Sequence, residues 1–277
     1  MQRLRRAWAA LACLTELSLR ELWRNKLGLA LLLGIPVLFI GVVEWTSGRL
    51  PVPIKLFYAA ETVRVVLSQR SITLVFASAA VTGFLVAYYA LVLYHQDFEY
   101  YRYSVFLGLR PGVFAASRFI LFLLLSGAIS LLITVMLSRL IELRQPGLVF
   151  LGFMLTGVTY GACGGIIGSL SRSFLPALLI AALLVDLDAA WLQNPVYYSW
   201  AQESTLIRAL PAFYPCQMVF SSAFTSRSNP LAAFRGLAYA GGLTAVLFLI
   251  VHVRLRRVWR RHGVPPRARK GRSHGRR

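Results

Sequence analysis

Long apolar runs separated by short polar segments dominate the hydropathy pattern of this chain. A helix needs about 20 apolar residues to cross a hydrocarbon core of roughly 30 Å. Six segments meet or approach this length: 27–43, 71–94, 119–138, 148–170, 174–192 and 236–253. The pattern therefore predicts an all-α membrane protein, with a six-helix transmembrane domain over residues 27–253.

The first of these spans is the shortest, and Pro36 lies inside it. Proline removes a backbone hydrogen bond, so we expect a kink, which neighbouring helices in a membrane tolerate. Trp45 follows the span as an interfacial anchor. No small-residue cleavage site follows the run, so we expect it to remain as a helix.

Residues 1–26 are predicted to form an amphipathic helix. Its apolar side chains share about 140° of arc at roughly 100° per residue. They are Leu4, Trp8, Leu11, Leu14, Leu19 and Leu22. Arginines project from the opposite side: Arg5, Arg6, Arg20 and Arg24. Such a helix suits the cytoplasmic membrane interface. The alternative is a helix packed on the rest of the protein, but no soluble domain is predicted to receive it.

Two other segments outside the spans have distinct patterns. Residues 206–224 are apolar and aromatic but are broken by Pro211 and Pro215, so we expect short helices that lie on or dip into the outer face. Residues 254–277 form a basic cytoplasmic tail, which we expect to be disordered beyond Arg261. Attraction to anionic lipids is the simplest role for this tail.

Composition supports a membrane protein rather than a soluble one. Charged residues make up 14% of the chain and hydrophobic residues 57%, whereas soluble domains carry roughly 25% charged residues. Of the 30 Lys and Arg residues, 21 fall on the side of the termini when the N-terminus is placed inside, and nine on the other side. The positive-inside rule thus predicts that both termini are cytoplasmic.

The basic excess does not indicate nucleic-acid binding, because it flanks apolar spans without zinc-finger spacing or an RNP signature. The three cysteines form no CxxC pair and are interpreted as small apolar residues. There is no HExxH motif, and the chain has no GxxxxGK[ST] phosphate loop. We therefore expect no ATP hydrolysis by this chain itself.

The fourth predicted span contains Gly157, Gly161 and Gly165 at a spacing of four residues. Small residues at this period let helix backbones approach closely where lipid supplies no hydrophobic driving force. We interpret these glycines as a helix-packing stripe rather than a site of chemistry.

The fifth predicted span carries Asp186 and Asp188, roughly 18 and 21 Å along a helix that starts at Phe174. A carboxylate at the bilayer centre costs roughly 2.5–3.5 kcal/mol, so such groups usually face a cavity or a partner. One hypothesis places one of them on a polar translocation path. The alternative places both near the head groups or in a pair with an outer arginine such as Arg208. Because two residues span about 200° of a helix, both can line one cavity only if the helix breaks.

The largest inner loop covers residues 95–118 and mixes charged and aromatic residues with a break over residues 108–112. We expect a short helix that ends near Gly108, with Pro111 restarting the chain before the third span. Such a helix could serve as a lever for a soluble partner or simply connect two spans.

Taken together, these features resemble a permease of the ABC-2 type of ABC transporter, over nearly the whole chain. The resemblance lies in the Leu- and Arg-rich segment 17–26, the following span with Pro36, and the proline-broken segment 211–224 before the last span. The loop after the second span resembles the coupling segment of that family. Its matching residues are Glu99, Gly108, Arg110 and Pro111.

The resemblance implies a dimeric transport subunit in the bacterial plasma (inner) membrane. Its partners would be a separate ATP-binding subunit, which holds ATP and Mg²⁺, and a second permease copy or paralogue; this chain would need no cofactor of its own. Export of a lipid, glycan or amphipathic drug is usual for the family. Two alternatives remain open: a membrane-embedded enzyme that uses Asp186 or Asp188 on a lipid, and a non-transport membrane scaffold.

Overall fold

The computed structural model describes residues 2–58, 62–106, 111–200 and 205–262. Within these ranges the chain forms ten α-helices, one β-hairpin and one π-helical segment. In chain order they are α1 (Gln2–Arg24), α2 (Lys26–Thr46), β1 (Pro51–Phe57), β2 (Thr62–Ser68), α3 (Gln69–Phe106), α4 (Pro111–Leu140), α5 (Pro146–Leu170), α6 (Phe174–Val185), the π-helical segment (Asp186–Leu192), α7 (Pro195–Trp200), α8 (Thr205–Ala209), α9 (Phe213–Phe224) and α10 (Pro230–His262).

Six stretches of helix in the described part of the chain are long and apolar enough to cross a membrane. They are Gly28–Thr46, Gln69–His95, Gly112–Leu140, Pro146–Leu170, Phe174–Leu192 and Pro230–Arg257. This result confirms the number of apolar spans predicted from hydropathy. The protein thus has the mainly helical architecture of a multi-pass membrane protein.

Several helices extend beyond the predicted spans. The prediction of a separate short helix after residue 95 is wrong, because α3 continues without a break to Phe106. Helix α10 continues through residues 254–262, the first part of the predicted tail, and residues 263–277 lie outside the described residues. Hydropathy marks only the part of a helix that suits lipid, whereas backbone hydrogen bonding continues into its polar ends.

The β-hairpin between α2 and α3 was not predicted. Its strands pair antiparallel, with Pro51 opposite Ser68 and Phe57 opposite Thr62. Ile54 and Leu56 are buried, which attaches one face of the hairpin to the helices. Valine-rich stretches such as those of β2 favour strands, so the signal was present in the sequence.

The two ends of the bundle differ. The "hairpin end" carries the hairpin, the α4–α5 connection and α7 to α9, whereas the "termini end" carries α1 and the last turns of α10. At the hairpin end, α9 is buried almost along its whole length and packs on α5 and α10. The segment with Pro211 and Pro215 is therefore a short internal helix preceded by a turn, in agreement with the expected short helices.

At the termini end, α1 packs against the start of α4. Arg118 donates a hydrogen bond from Nη1 to Ser18 Oγ at 2.9 Å. Trp8, Leu17 and Trp23 remain exposed on α1. The helix therefore packs on the protein along one side, as the alternative interpretation required, and still presents apolar side chains outward.

The glycine stripe lies at the centre of the bundle, where α5 contacts α3, α4 and α10. A Cβ atom at Gly157 would lie 2.7 Å from Ser126 Oγ, and one at Gly165 would lie 2.9 Å from Tyr94 Cδ2 and Leu247 Cδ2. A Cβ atom at Gly161 would overlap the ring of Phe122. All three glycines thus stand where side chains of neighbouring helices leave no room for a Cβ atom.

Candidate functional site

The proposed coupling residues cannot be placed in atomic detail. Gly108 and Arg110 lie outside the described residues. Glu99 falls on the backbone of α3 and Pro111 begins α4, but the structure does not describe their side chains. The coupling role of these four residues stays a prediction.

The helix that carries Asp186 and Asp188 changes its winding at these residues. It is α-helical from Phe174 to Val185 and π-helical from Asp186 to Leu192. Single π-helical turns occur frequently at functional sites. The two carboxylates point in different directions: Asp186 is exposed, whereas Asp188 is 2% exposed. The structure therefore does not bring the two carboxylates into one cavity.

Asp188 belongs to a buried polar group that we call the Asp188 cluster: Asp188, Gln193, Tyr160 and the backbone N–H of Ala212. Gln193 Nε2 donates to Asp188 Oδ1 at 2.7 Å, and Ala212 N donates to Asp188 Oδ2 at 3.2 Å. Both carboxylate oxygens thus accept hydrogen bonds from the protein. This carboxylate connects the π-helical segment to the turn that precedes α9.

Tyr160 and Gln193 complete the cluster, and sequence reasoning missed both. The fully buried Tyr160 side chain of α5 lies beside Asp188. Its hydroxyl faces the Asp188 carboxylate, whereas Gln193 Oε1 has no hydrogen-bond partner in the described part of the chain. Gln193 was overlooked because it follows the last apolar residue of the predicted span, where a polar side chain is expected at the interface.

Arg208, the alternative partner considered for the aspartates, pairs with neither of them among the described residues. Its guanidinium instead lies over the ring of Phe57, 4.6 Å from the centroid. The alternative pairing is therefore wrong for this arginine.

Asp186 is one of the residues that line a mainly apolar groove with a volume of about 520 Å³. The groove runs over α3 between α2 and α6, and we call it the α2–α6 groove. Ile35 and Phe39 line it from α2, Phe84 from α3 and Leu183 from α6. It combines a carboxylate with aliphatic and aromatic walls, which suits an amphipathic molecule better than a small ion.

The spans beside the groove are poorly covered by the rest of the chain. Only 11% of the α2 span and 28% of the Phe174–Leu192 span are buried, compared with 78% of the α3 span. Both faces are therefore available to lipid or to another polypeptide.

No protein-family model and no curated protein matches this chain, so its function has to be argued from these residues and their geometry.

Proposed function

We propose that this protein is the membrane-spanning permease subunit of an ATP-driven transporter of the ABC-2 type. In this proposal a separate ATP-binding subunit powers export of a lipid, glycan or amphipathic drug-like substrate from the cytoplasmic side of a bacterial plasma membrane. The observation that carries the proposal is the α2–α6 groove, where a carboxylate stands among apolar walls between two uncovered spans.

A second copy or a paralogue would complete the path. Exposed apolar side chains on α2 and α6, such as Leu38 and Leu183, give two such chains a surface on which to meet. Two α2–α6 grooves facing one another would form a lined path across the bilayer. Asp186 would then stand on that path, where a polar group of the substrate offsets the cost of its charge.

Energy would enter at the termini end. The chain lacks a phosphate loop, so the proposal needs an ATPase as a partner. Helix α1 and the continuous α3 both reach the termini end, and α1 is tied to α4 through Ser18 and Arg118. Movement of a bound ATPase would therefore be passed directly to α3 and α4, which shifts the population between two packings of the bundle.

The test is reconstitution with candidate ATP-binding subunits of the same genome, beginning with any that is encoded next to this chain. We expect the two proteins to co-purify and to show ATPase activity that vanadate inhibits. Absence of a stable complex with any ATP-binding subunit of the same genome, or ATP hydrolysis by this chain alone, would refute the proposal.

A further inference from the structure

A second cavity lies at the hairpin end, away from the α2–α6 groove. It has a volume of about 320 Å³ and is bounded by the end of the hairpin, α8, the start of α9 and the first turns of α10. We call it the arginine pocket, because Arg208 and Arg235 both line it. Among the described residues, these two arginines are the only charged side chains in its lining.

Aromatic rings hold the two guanidinium groups in place. Arg208 lies over Phe57 at 4.6 Å from the ring centroid, and Arg235 lies over Tyr214 at 5.1 Å. Arg235 also donates a hydrogen bond to the Tyr214 hydroxyl. Stacking uses the flat face of a guanidinium and leaves N–H groups at its edge for other acceptors. The two arginines are thus oriented, and no carboxylate in the described part of the chain neutralises them.

Within the described residues, neither arginine forms an ion pair. Of the described glutamates at the hairpin end, Glu44 pairs with Arg70, and Glu142 lies 3.7 Å from Arg144. Two uncompensated positive charges at one pocket produce a positive potential there. An anion would supply the missing charge.

The remaining walls indicate what the anion is attached to. Thr62, Tyr58 and Gln217 contribute polar groups, and Phe213 and Tyr214 contribute aromatic surface. The pocket volume exceeds that of a bare phosphate and falls at the small end of sites for organic ligands. Guanidinium groups are well suited to phosphate because their parallel N–H groups bind two oxygens at once.

We propose that the arginine pocket binds a phosphate group carried by a small polar moiety, such as the phosphoglycerol head group of an anionic lipid or a soluble glycerol phosphate. Arg235 lies five residues after the start of α10 at Pro230, which is about 7.5 Å along the helix. This depth places the pocket near the lipid head groups of the hairpin end. The proposal does not rest on the transport function, since binding requires no ATPase.

The experiment uses the purified full-length chain at fixed ionic strength. One arm titrates sn-glycerol 3-phosphate into protein in neutral detergent. The other arm reconstitutes the chain into nanodiscs of phosphatidylcholine with or without phosphatidylglycerol and counts retained lipids by native mass spectrometry. Binding in the first arm identifies a soluble phosphate as sufficient, and selective retention of phosphatidylglycerol identifies the lipid. Either result supports the pocket, and binding in neither arm overturns it.

Variants then locate the binding. The double variant Arg208→Gln, Arg235→Gln should weaken binding by about a hundredfold, because each lost charged hydrogen bond is worth roughly one factor of ten. The matched control Arg49→Gln, Arg64→Gln removes the same charge from exposed positions at the hairpin end that do not line the pocket. It should retain binding. An equal loss of binding in both double variants would overturn the proposal, because the overall positive charge of the hairpin end would then explain the binding.

Two further sets of variants test whether the Gln variants misfold and whether carboxylates of the chain itself occupy the pocket. Arg208→Lys with Arg235→Lys keeps the charges but loses the paired N–H groups, so it should bind with intermediate affinity. Glu61 and Glu203 lie outside the described residues, near the pocket in sequence. Their replacement by Gln should leave the ranking of the variants unchanged. Binding that arises only in that background would overturn the proposal, because the chain's own carboxylates would then occupy the pocket.

Discussion

Gln193 and Asp188 are joined twice, and only π-helical winding allows both bonds. Gln193 N donates to Asp188 O at 3.0 Å, and Gln193 Nε2 donates to Asp188 Oδ1 at 2.7 Å. In an α-helix, residues five apart stand about 140° from one another around the axis, so their side chains would not meet. The wider turn brings them to one side, where Asp188 also reaches Ala212. The π-helical segment thus turns Asp188 into a structural acceptor and leaves Asp186 exposed.

Removal of the Asp188 carboxylate should destabilise the protein. In Asp188→Ala, Gln193 Nε2 and the Ala212 N–H lose their acceptor inside the bundle, which costs about 1–3 kcal/mol for each buried unsatisfied group. We expect a lower melting temperature in detergent by differential scanning fluorimetry. Asp186→Asn is the control and should melt like the wild-type protein, since Asp186 is exposed. Equal melting of Asp188→Ala and wild type would contradict this role.

Asp186 should instead affect transport. If it stands on the path, Asp186→Asn should reduce transport by the reconstituted complex while expression stays unchanged. Asp188→Asn is measured in parallel, so that transport lost because the protein misfolds can be distinguished from transport lost because the path is altered. Unchanged transport and expression in both variants would show that neither carboxylate serves the path.

Gly164, which lies beside the glycine stripe on α5, should not tolerate even one added methyl group. A Cβ atom at Gly164 would overlap the carbonyl oxygen of Ala87 in α3, and backbone atoms cannot move aside as a flexible side chain can. Gly164→Ala should therefore destabilise by about 1–3 kcal/mol through overpacking. Gly127→Ala in α4 is the matched control, because a Cβ atom there meets nothing within 4 Å. Thermal unfolding should separate the two variants, and identical curves would refute close α3–α5 packing.

The coupling segment can be tested by uncoupling. Glu99→Ala with Arg110→Ala should abolish substrate-stimulated ATPase activity of the complex without loss of membrane insertion. The pair Glu142→Ala and Arg139→Ala removes the same residue types at the hairpin end and should leave stimulation intact. Normal stimulation of ATPase activity in the Glu99→Ala, Arg110→Ala variant would show that this loop does not take part in coupling.

The proposed dimer can be tested by cross-linking through the α2–α6 groove. After Cys13→Ser removes the exposed native thiol, a cysteine at Leu183 should form a cross-link between two copies in membranes. A cysteine at Phe234, which is exposed on α10, serves as the control and should remain monomeric. Cross-linking at Phe234 but not at Leu183 would place the interface elsewhere.

Orientation can be measured by labelling with a membrane-impermeant maleimide in intact cells. Ser47→Cys in the Cys13→Ser background lies at the hairpin end and should react. The native Cys13 is exposed on α1 at the termini end and should react only after the cells are opened. Reaction at both positions in intact cells would contradict cytoplasmic termini.

The order of apolar and polar segments by itself determined that this chain has six helices of spanning length and short helices before the last of them. Hydropathy and proline breaks are local properties, so they can be read along the chain without knowledge of its neighbours. The same local reading found the glycine stripe, because its spacing follows from helix geometry alone.

The tertiary structure decided which polar side chains are buried in contacts and which line a cavity. Asp186 and Asp188 look alike in sequence, but contacts with Gln193 and Ala212 bury one of them and leave the other beside the α2–α6 groove. Arg208 and Arg235 belong to different helices and line one pocket only because the hairpin, α8, α9 and α10 pack together. Burial and charge compensation depend on contacts between distant segments, and no periodicity within one segment contains that information.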